Sequence, residues 1–393
     1  MGAVRHLLGL HMHQPPGNLT LLAEANEWEA RQIMLCYERP LRYASRYQDV
    51  ARFCVGFSGI LLEQFQDPEV IARYSGILDI PKMLEAYRET PNIDIVGMGY
   101  YHPIFPLIPM EDWDEQIRRG REKILEIFGR QPEIFWPPEM AFTMEMIPAL
   151  VRHGYAYVII DSVHVRPKEP LAREEAVYRT HIAEHDGARI TVVPRDRDLS
   201  NAQESGLDAG WFAGEVGRKT SGAPRPCLVT TWTDGENGGW FRQTHEEAGF
   251  WGHFFAPYME RVRSGHMPIR PISIGEFVAE NPPADTVEVR TGAWNVGSTS
   301  GYDFSQWAGS ASQRRAMEEI WRLRRTYEEI NRAVSRGRAE AIEQKLRRAR
   351  ESILRAETSC YLFWGESWIP KLYEETAVAH QLLEEIRKEA GRA

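Results

Sequence analysis

Seven short runs rich in β-branched and aromatic residues recur between Val4 and Thr231, and helical patterns fill most of the gaps between them. The runs are Val4–Leu10, Arg52–Phe57, Asn92–Gly97, Glu133–Trp136, Tyr155–Ile160, Arg189–Val193 and Cys227–Thr231. Most lack strict apolar/polar alternation, which is the pattern of strands buried on both faces of a parallel sheet. Between Met110 and Phe128, Trp113, Ile117, Ile124 and Ile127 recur at helical spacing, and Met144–His153 reads as a further helix. Strand and helix in alternation predict an α/β fold with a parallel sheet, and about seven units predict a barrel closely related to the eight-stranded kind. An open doubly wound sheet is the alternative architecture.

Each run leads into a polar segment. These exits read His11-Met12-His13-Gln14-Pro15, Ser58-Gly59, Tyr101-His102-Pro103, Pro137-Pro138-Glu139, Asp161-Ser162-Val163-His164, Arg195-Asp196-Arg197-Asp198 and Asp234-Gly235-Glu236-Asn237. In α/β barrels the active site gathers at the C-terminal strand ends, so these segments are expected to converge on one pocket.

Beyond Arg270 the pattern loosens. Thr291–Ser310, with its Trp and Tyr residues, reads as a long ordered loop near that pocket. From Ser312 the chain turns charged and helical, with three apolar stripes: Met317, Ile320, Tyr327, Ile330 and Val334; Ile342, Leu346 and Ile353; Val378, Leu382 and Ile386. This is a small helical bundle. The expected division is residues 1–310 as a catalytic barrel and 311–393 as a bundle closing on its cleft. The Arg-rich stretches Arg322–Arg325 and Arg347–Arg355 are interleaved with Glu, as on a solvated salt-bridged face.

A net charge of -9 argues against a phosphate-binding surface, and hence against nucleic acid as a partner. Cys36, Cys54, Cys227 and Cys360 form no C-x-x-C pair and read as reduced core thiols. Met1–Leu10 carries no secretory pattern, and no run reaches the roughly 18 to 20 apolar residues of a membrane span. The expectation is a cytoplasmic protein with no membrane partner and no cofactor; the oligomeric state is left open. Clusters of Trp and Tyr beside polar residues suit a sugar, whose C–H faces pack on rings while its hydroxyls seek hydrogen bonds.

Two acids stand at strand exits. Glu139 follows Pro137 and Pro138, which restrict φ and present it on a stiff backbone, with Phe135 and Trp136 before it and Ala141 and Phe142 after it. Asp234 enters a loop whose glycines permit close approach to a ligand, although a plain Asp-Gly turn reads the same way. Glu236 is a second acid in that loop and an alternative to Asp234. Retaining glycosidases need two carboxyls about 5 to 5.5 Å apart, one attacking the anomeric carbon and one protonating the leaving oxygen. His11 and His13 admit two readings: hydrogen-bonding residues, or the metal ligands that an H-x-H after a first barrel strand supplies in amidohydrolases and deacetylases. No Lys stands at a matching exit, which moves the weight toward hydrogen bonding and toward no metal. A carbohydrate-binding protein without turnover is the remaining alternative.

Taken together, His13-Gln14-Pro15, Ile93–Gly97 running into Tyr101-His102-Pro103, Trp136-Pro137-Pro138-Glu139, Thr233-Asp234-Gly235-Glu236 and Gly292-Ala293-Trp294 resemble glycoside hydrolase family 57. That family contains α-amylase-like enzymes, 4-α-glucanotransferases, branching enzymes, pullulanase-type members and α-galactosidases. The resemblance implies an incomplete (β/α)7 TIM-like barrel followed by a helical bundle, and a retaining double displacement on an α-linked glucan or oligosaccharide. It implies Glu139 as nucleophile and Asp234 as acid/base. His11, His13, Gln14, His102, Trp136, Glu236, Trp240, Trp294 and Trp364 are expected to line the sugar site. Tyr361-Leu362-Phe363-Trp364-Gly365-Glu366-Ser367-Trp368 is similar to the family's cleft-closing segment, with Cys360 where many members carry a polar or acidic residue.

Overall fold

The computed structural model describes residues 4–223, 226–236, 246–294, 304–334 and 340–390. All seven expected strands are present: β1 (Val4–Met12), β2 (Phe53–Phe57), β3 (Ile93–Val96), β4 (Ile134–Phe135), β5 (Tyr157–Asp161), β6 (Ala188–Arg195) and β7 (Cys227–Asp234). Every residue of β2 is buried, as a strand covered on both faces requires. Parallel pairing joins β7 to β1, β1 to β2, β2 to β3, β4 to β5 and β5 to β6.

Two seams complete the circle. Gly97 N–H donates to Ile134 O at 2.9 Å and Trp136 N–H to Gly97 O at 2.8 Å, linking β3 to β4. Asp196 N–H donates to Thr230 O at 2.9 Å, linking β6 to β7. The result is a closed seven-stranded parallel barrel, which sets aside the open doubly wound alternative.

Several elements were not read from the sequence. Ile269–Pro271 pairs in parallel with the start of β1. His181–His185 folds back antiparallel on β6 through Asp186 and Gly187, whose φ values of 45° and 76° suit a two-residue hairpin turn. Thr286–Val289 and Val165–Pro167 extend that sheet outside the barrel.

The helical stretch Met110–Phe128 forms as α1, burying Trp113, Ile117, Ile124 and Ile127. The bundle comprises α2 (Ala311–Ala333), α3 (Glu340–Ala356) and α4 (Ile369–Ala390). Its core holds Leu323, Ile330, Leu346, Ile353, Leu382 and Ile386, joined by Ala379 and Leu383. Val378 is exposed, because the stripe of α4 runs through Ala379 instead. Bundle and barrel meet at α1, where buried Asp112 accepts from Arg324 Nε at 2.5 Å and lies 2.7 Å from Arg350 Nη1.

Among the described residues no helix is long and apolar enough to cross a membrane. Cys36, Cys54 and Cys227 are buried thiols.

Candidate active site

The C-terminal strand ends bring the two acids into one electrostatic cluster. β1 and β7 run side by side in a register that makes His11 and Asp234 direct partners. His11 Nε2 then lies 3.0 Å from Asp234 Oδ1. A Cβ on Gly235 would overlap Met12 Sδ, so a larger residue there would displace the Met12 side chain between the β1 and β7 exits.

Glu139 stands after β4 in the left-handed region, at φ 57° and ψ 20°, which a non-glycine residue adopts only when its surroundings enforce it. Trp294 supplies that enforcement twice. Its backbone N–H donates to Glu139 O at 2.8 Å and its indole Nε1–H to Glu139 Oε2 at 2.7 Å. Arg195, fully buried and paired with Asp161 at 3.1 Å, lies over the Trp294 ring at 5.2 Å and steadies it from behind.

An aromatic and imidazole wall joins the acids. His11 stacks on Trp136 at 4.0 Å, and His13 stacks on His102 at 3.9 Å with the planes 6° apart. His13 Nδ1 is 2.8 Å from Ser58 Oγ, and His102 Nδ1 is 2.8 Å from Ser359 Oγ and 4.0 Å from Glu139 Oε1. His11 Nδ1, His13 Nε2, His102 Nε2 and Trp136 Nε1 are buried without a hydrogen-bond partner among the described residues. Among the described residues no group of three or more His, Cys, Asp or Glu side chains is set to hold a metal ion.

Charge is distributed unevenly. Burial, then the neighbouring Asp234 charge, pushes Glu139 up to about 7, against the opposing pull of His11 and the Trp294 N–H. Burial pushes Glu236 up to about 8. Its Oε1 accepts from the His13 backbone at 2.5 Å and from Tyr37 Oη at 3.4 Å, tying the β7 exit to the β1 exit. Burial opposes charge on His11, yet Asp234, with Glu236 and Glu139 behind it, holds the imidazole above the usual histidine range. Burial and neighbouring imidazoles hold His13 and His102 well below that range, so both stay neutral.

The remaining expected residues are less central. Gln14 is buried and accepts from Asn18 Nδ2 at 2.6 Å. Trp364 is 55% exposed, edge-on to Phe363 at 5.1 Å. Trp240 lies outside the described residues. Ser58 and Arg195 stood in strand exits expected at the pocket but were given no role there, and Ser359 was not singled out from the sequence. Ser58 follows β2 and Arg195 ends β6, the positions that marked both, whereas nothing local marks Ser359.

A family model described as glycosyl hydrolase family 57 matches residues 8–290, more than half of the chain. The chain belongs to glycosyl hydrolase family 57. It is 22% identical over 325 residues to α-amylase 1 of Dictyoglomus thermophilum, covering 80% of this chain and 42% of that protein. It is 31% identical over 198 residues to an α-amylase of Pyrococcus furiosus, covering 50% and 27% respectively. The chain thus spans less than half the length of these curated relatives. Among solved structures, the family 57 branching enzyme of Pyrococcus horikoshii superposes with a TM-score of 0.72 at 15% identity, covering 98% of this chain and 88% of that one. The 4-α-glucanotransferase of Thermococcus litoralis gives 0.67 at 19% identity, covering 96% and 60%. At these identities the superpositions establish a shared barrel-and-bundle fold.

Proposed function

We propose that this protein is a retaining glycosidase or transglycosylase acting on α-linked glucan or oligosaccharide. The observation that carries the reading is the cluster in which Glu139 and Asp234, from opposite parts of the sequence, interact across His11 beneath a wall of Trp and His. Two carboxyls whose surroundings differ suit two roles. Glu139, held by the Trp294 N–H, attacks the anomeric carbon, and Asp234 protonates the leaving oxygen. A glycosyl-enzyme ester forms, and Asp234 then takes the proton from the water or sugar hydroxyl that resolves it.

In this reading His11, His13, His102 and Trp136 offer their unused nitrogens to sugar hydroxyls. Gln14, Glu236, Trp240, Trp294 and Trp364 complete the site. Residues 1–310 form the catalytic unit and 311–393 close on its cleft. The relatives named as α-amylases and as a 4-α-glucanotransferase favour α-glucan as substrate, and buried thiols suit a reducing cytoplasm.

Maltooligosaccharides of defined length test the proposal. Wild-type enzyme is expected to release or transfer glucosyl units whose first-formed anomer, read by proton NMR, is α. Glu139→Gln is expected to lose at least about a thousand-fold in turnover while keeping its circular dichroism spectrum. A β first product, or a Glu139→Gln variant with normal turnover, refutes it.

A further inference from the structure

Ser359 opens the short helix Ser359–Phe363 between α3 and α4, outside the barrel, yet it reaches the pocket by two routes. Its Oγ is 2.8 Å from His102 Nδ1, and its backbone N–H donates to the His102 carbonyl at 3.1 Å. Beside it, Thr358 and Pro103 form an isolated antiparallel bridge. One residue earlier, buried Glu357 accepts from Gln116 Nε2 at 2.7 Å, and Gln116 Oε1 in turn accepts from the Tyr101 backbone at 3.0 Å. The loop carrying His102 is therefore gripped between α1 and the segment Glu357–Ser359.

That grip has a backbone signature. His102 sits at φ 59°, a conformation that costs a histidine energy and persists only under tertiary constraint. Ser359 is fully buried, so its hydroxyl is no solvent-facing surplus. With Nδ1 engaged by Ser359, the buried Nε2 is the nitrogen left for a ligand. The same ring is stacked on His13 and stands 4.0 Å from Glu139 Oε1, beside the reacting centre.

We propose that Ser359 is a positioning residue for the reaction: it fixes the rotation and tautomer of His102, so that Nε2 meets a hydroxyl of the sugar bound against Glu139. The proposal rests on the glycan-cleaving reading. It makes the segment after α3 a working part of the catalytic pocket.

The test uses full-length Ser359→Ala, His102→Gln and the double variant. Histidine side-chain nitrogen NMR of the substrate-free protein, with His102 assigned by its loss in His102→Gln, is expected to show the His102 signals moved in Ser359→Ala. On maltoheptaose, Ser359→Ala is expected to lower kcat about three- to ten-fold, the loss of one hydrogen bond, with KM changed less. In the His102→Gln background the same substitution is expected to add nothing, because the serine acts through that ring. Unmoved His102 signals in Ser359→Ala, or losses that multiply in the double variant, overturn the proposal. If the wild-type enzyme leaves maltoheptaose untouched, the glycan reading fails. The NMR signals then still decide whether Ser359 holds His102.

Discussion

Replacing Trp294 by Phe removes one hydrogen-bond donor from the site and keeps most of the ring, which makes it a sharp probe of Glu139. The indole N–H donates to Glu139 Oε2 at 2.7 Å, and it favours the ionised carboxylate. The ring's contacts with His11 at 5.2 Å and Trp136 at 5.4 Å are of a kind that phenylalanine also makes. A hydrogen bond to a charged group contributes about 1.5 to 3 kcal/mol, and each 1.36 kcal/mol moves a pKa by one unit, so Glu139 should rise by about one to two units. A nucleophile works ionised. From a starting value of about 7, kcat/KM of the wild type is expected to fall about ten-fold per pH unit on the acid side. In Trp294→Phe that limb moves to higher pH by about the same one to two units. The assay is kcat/KM on maltoheptaose from about pH 5 to 9 in a constant-ionic-strength buffer. A limb that stays in place, or moves to lower pH, refutes the assignment of the limb to Glu139.

Asp234→Asn is expected to depress turnover of unactivated maltooligosaccharides far more than that of aryl glycosides with good leaving groups, and equal losses in parallel assays would remove Asp234 from the acid role. Glu236 is raised from 4.5 to about 8, so the folded state binds its proton more tightly than the unfolded state does. Its contribution is present below about pH 4.5 and lost as pH climbs toward 8. Unfolding free energies of Glu236→Gln and wild type in chemical denaturation should therefore diverge in favour of the variant over that window, by an amount on the order of a few kcal/mol, and a pH-independent difference would contradict it. Asp112→Ala removes the buried carboxylate that Arg324 and Arg350 share, leaving Arg324 to Glu328 and Arg350 to Glu115, and should destabilise by about 1 to 3 kcal/mol in chemical denaturation. Trp364→Ala should weaken oligosaccharide binding and favour hydrolysis over transfer with little loss of melting temperature; lower melting with normal affinity would make this exposed ring structural only.

The seven barrel strands were legible because burial on both faces writes itself as continuous apolar runs, and that pattern is local. The choice of Glu139 and Asp234 as candidate acids had a related basis: each stands at the end of such a run, where barrels place chemistry. The hairpin of His181–His185 with β6 escaped notice although Asp186-Gly187 is its turn signal, because the flanking residues alternate too weakly to read as paired strands. Val378 was misread as core, since a helical stripe one residue wide is ambiguous until a neighbouring helix selects its face.

By itself the sequence determined which elements form and which residue types stand at their ends, since propensity, periodicity and turn chemistry act over a few neighbours. Only the tertiary structure decided the partnerships. Register between β1 and β7 sets His11 against Asp234, although they belong to the first and last strands of the barrel. Barrel closure through Gly97 and Asp196 brings Glu139 into the same electrostatic cluster, and docking of the bundle on α1 delivers Ser359 to His102. Contacts between distant parts of a chain depend on how whole elements pack, and no local pattern of side chains encodes them.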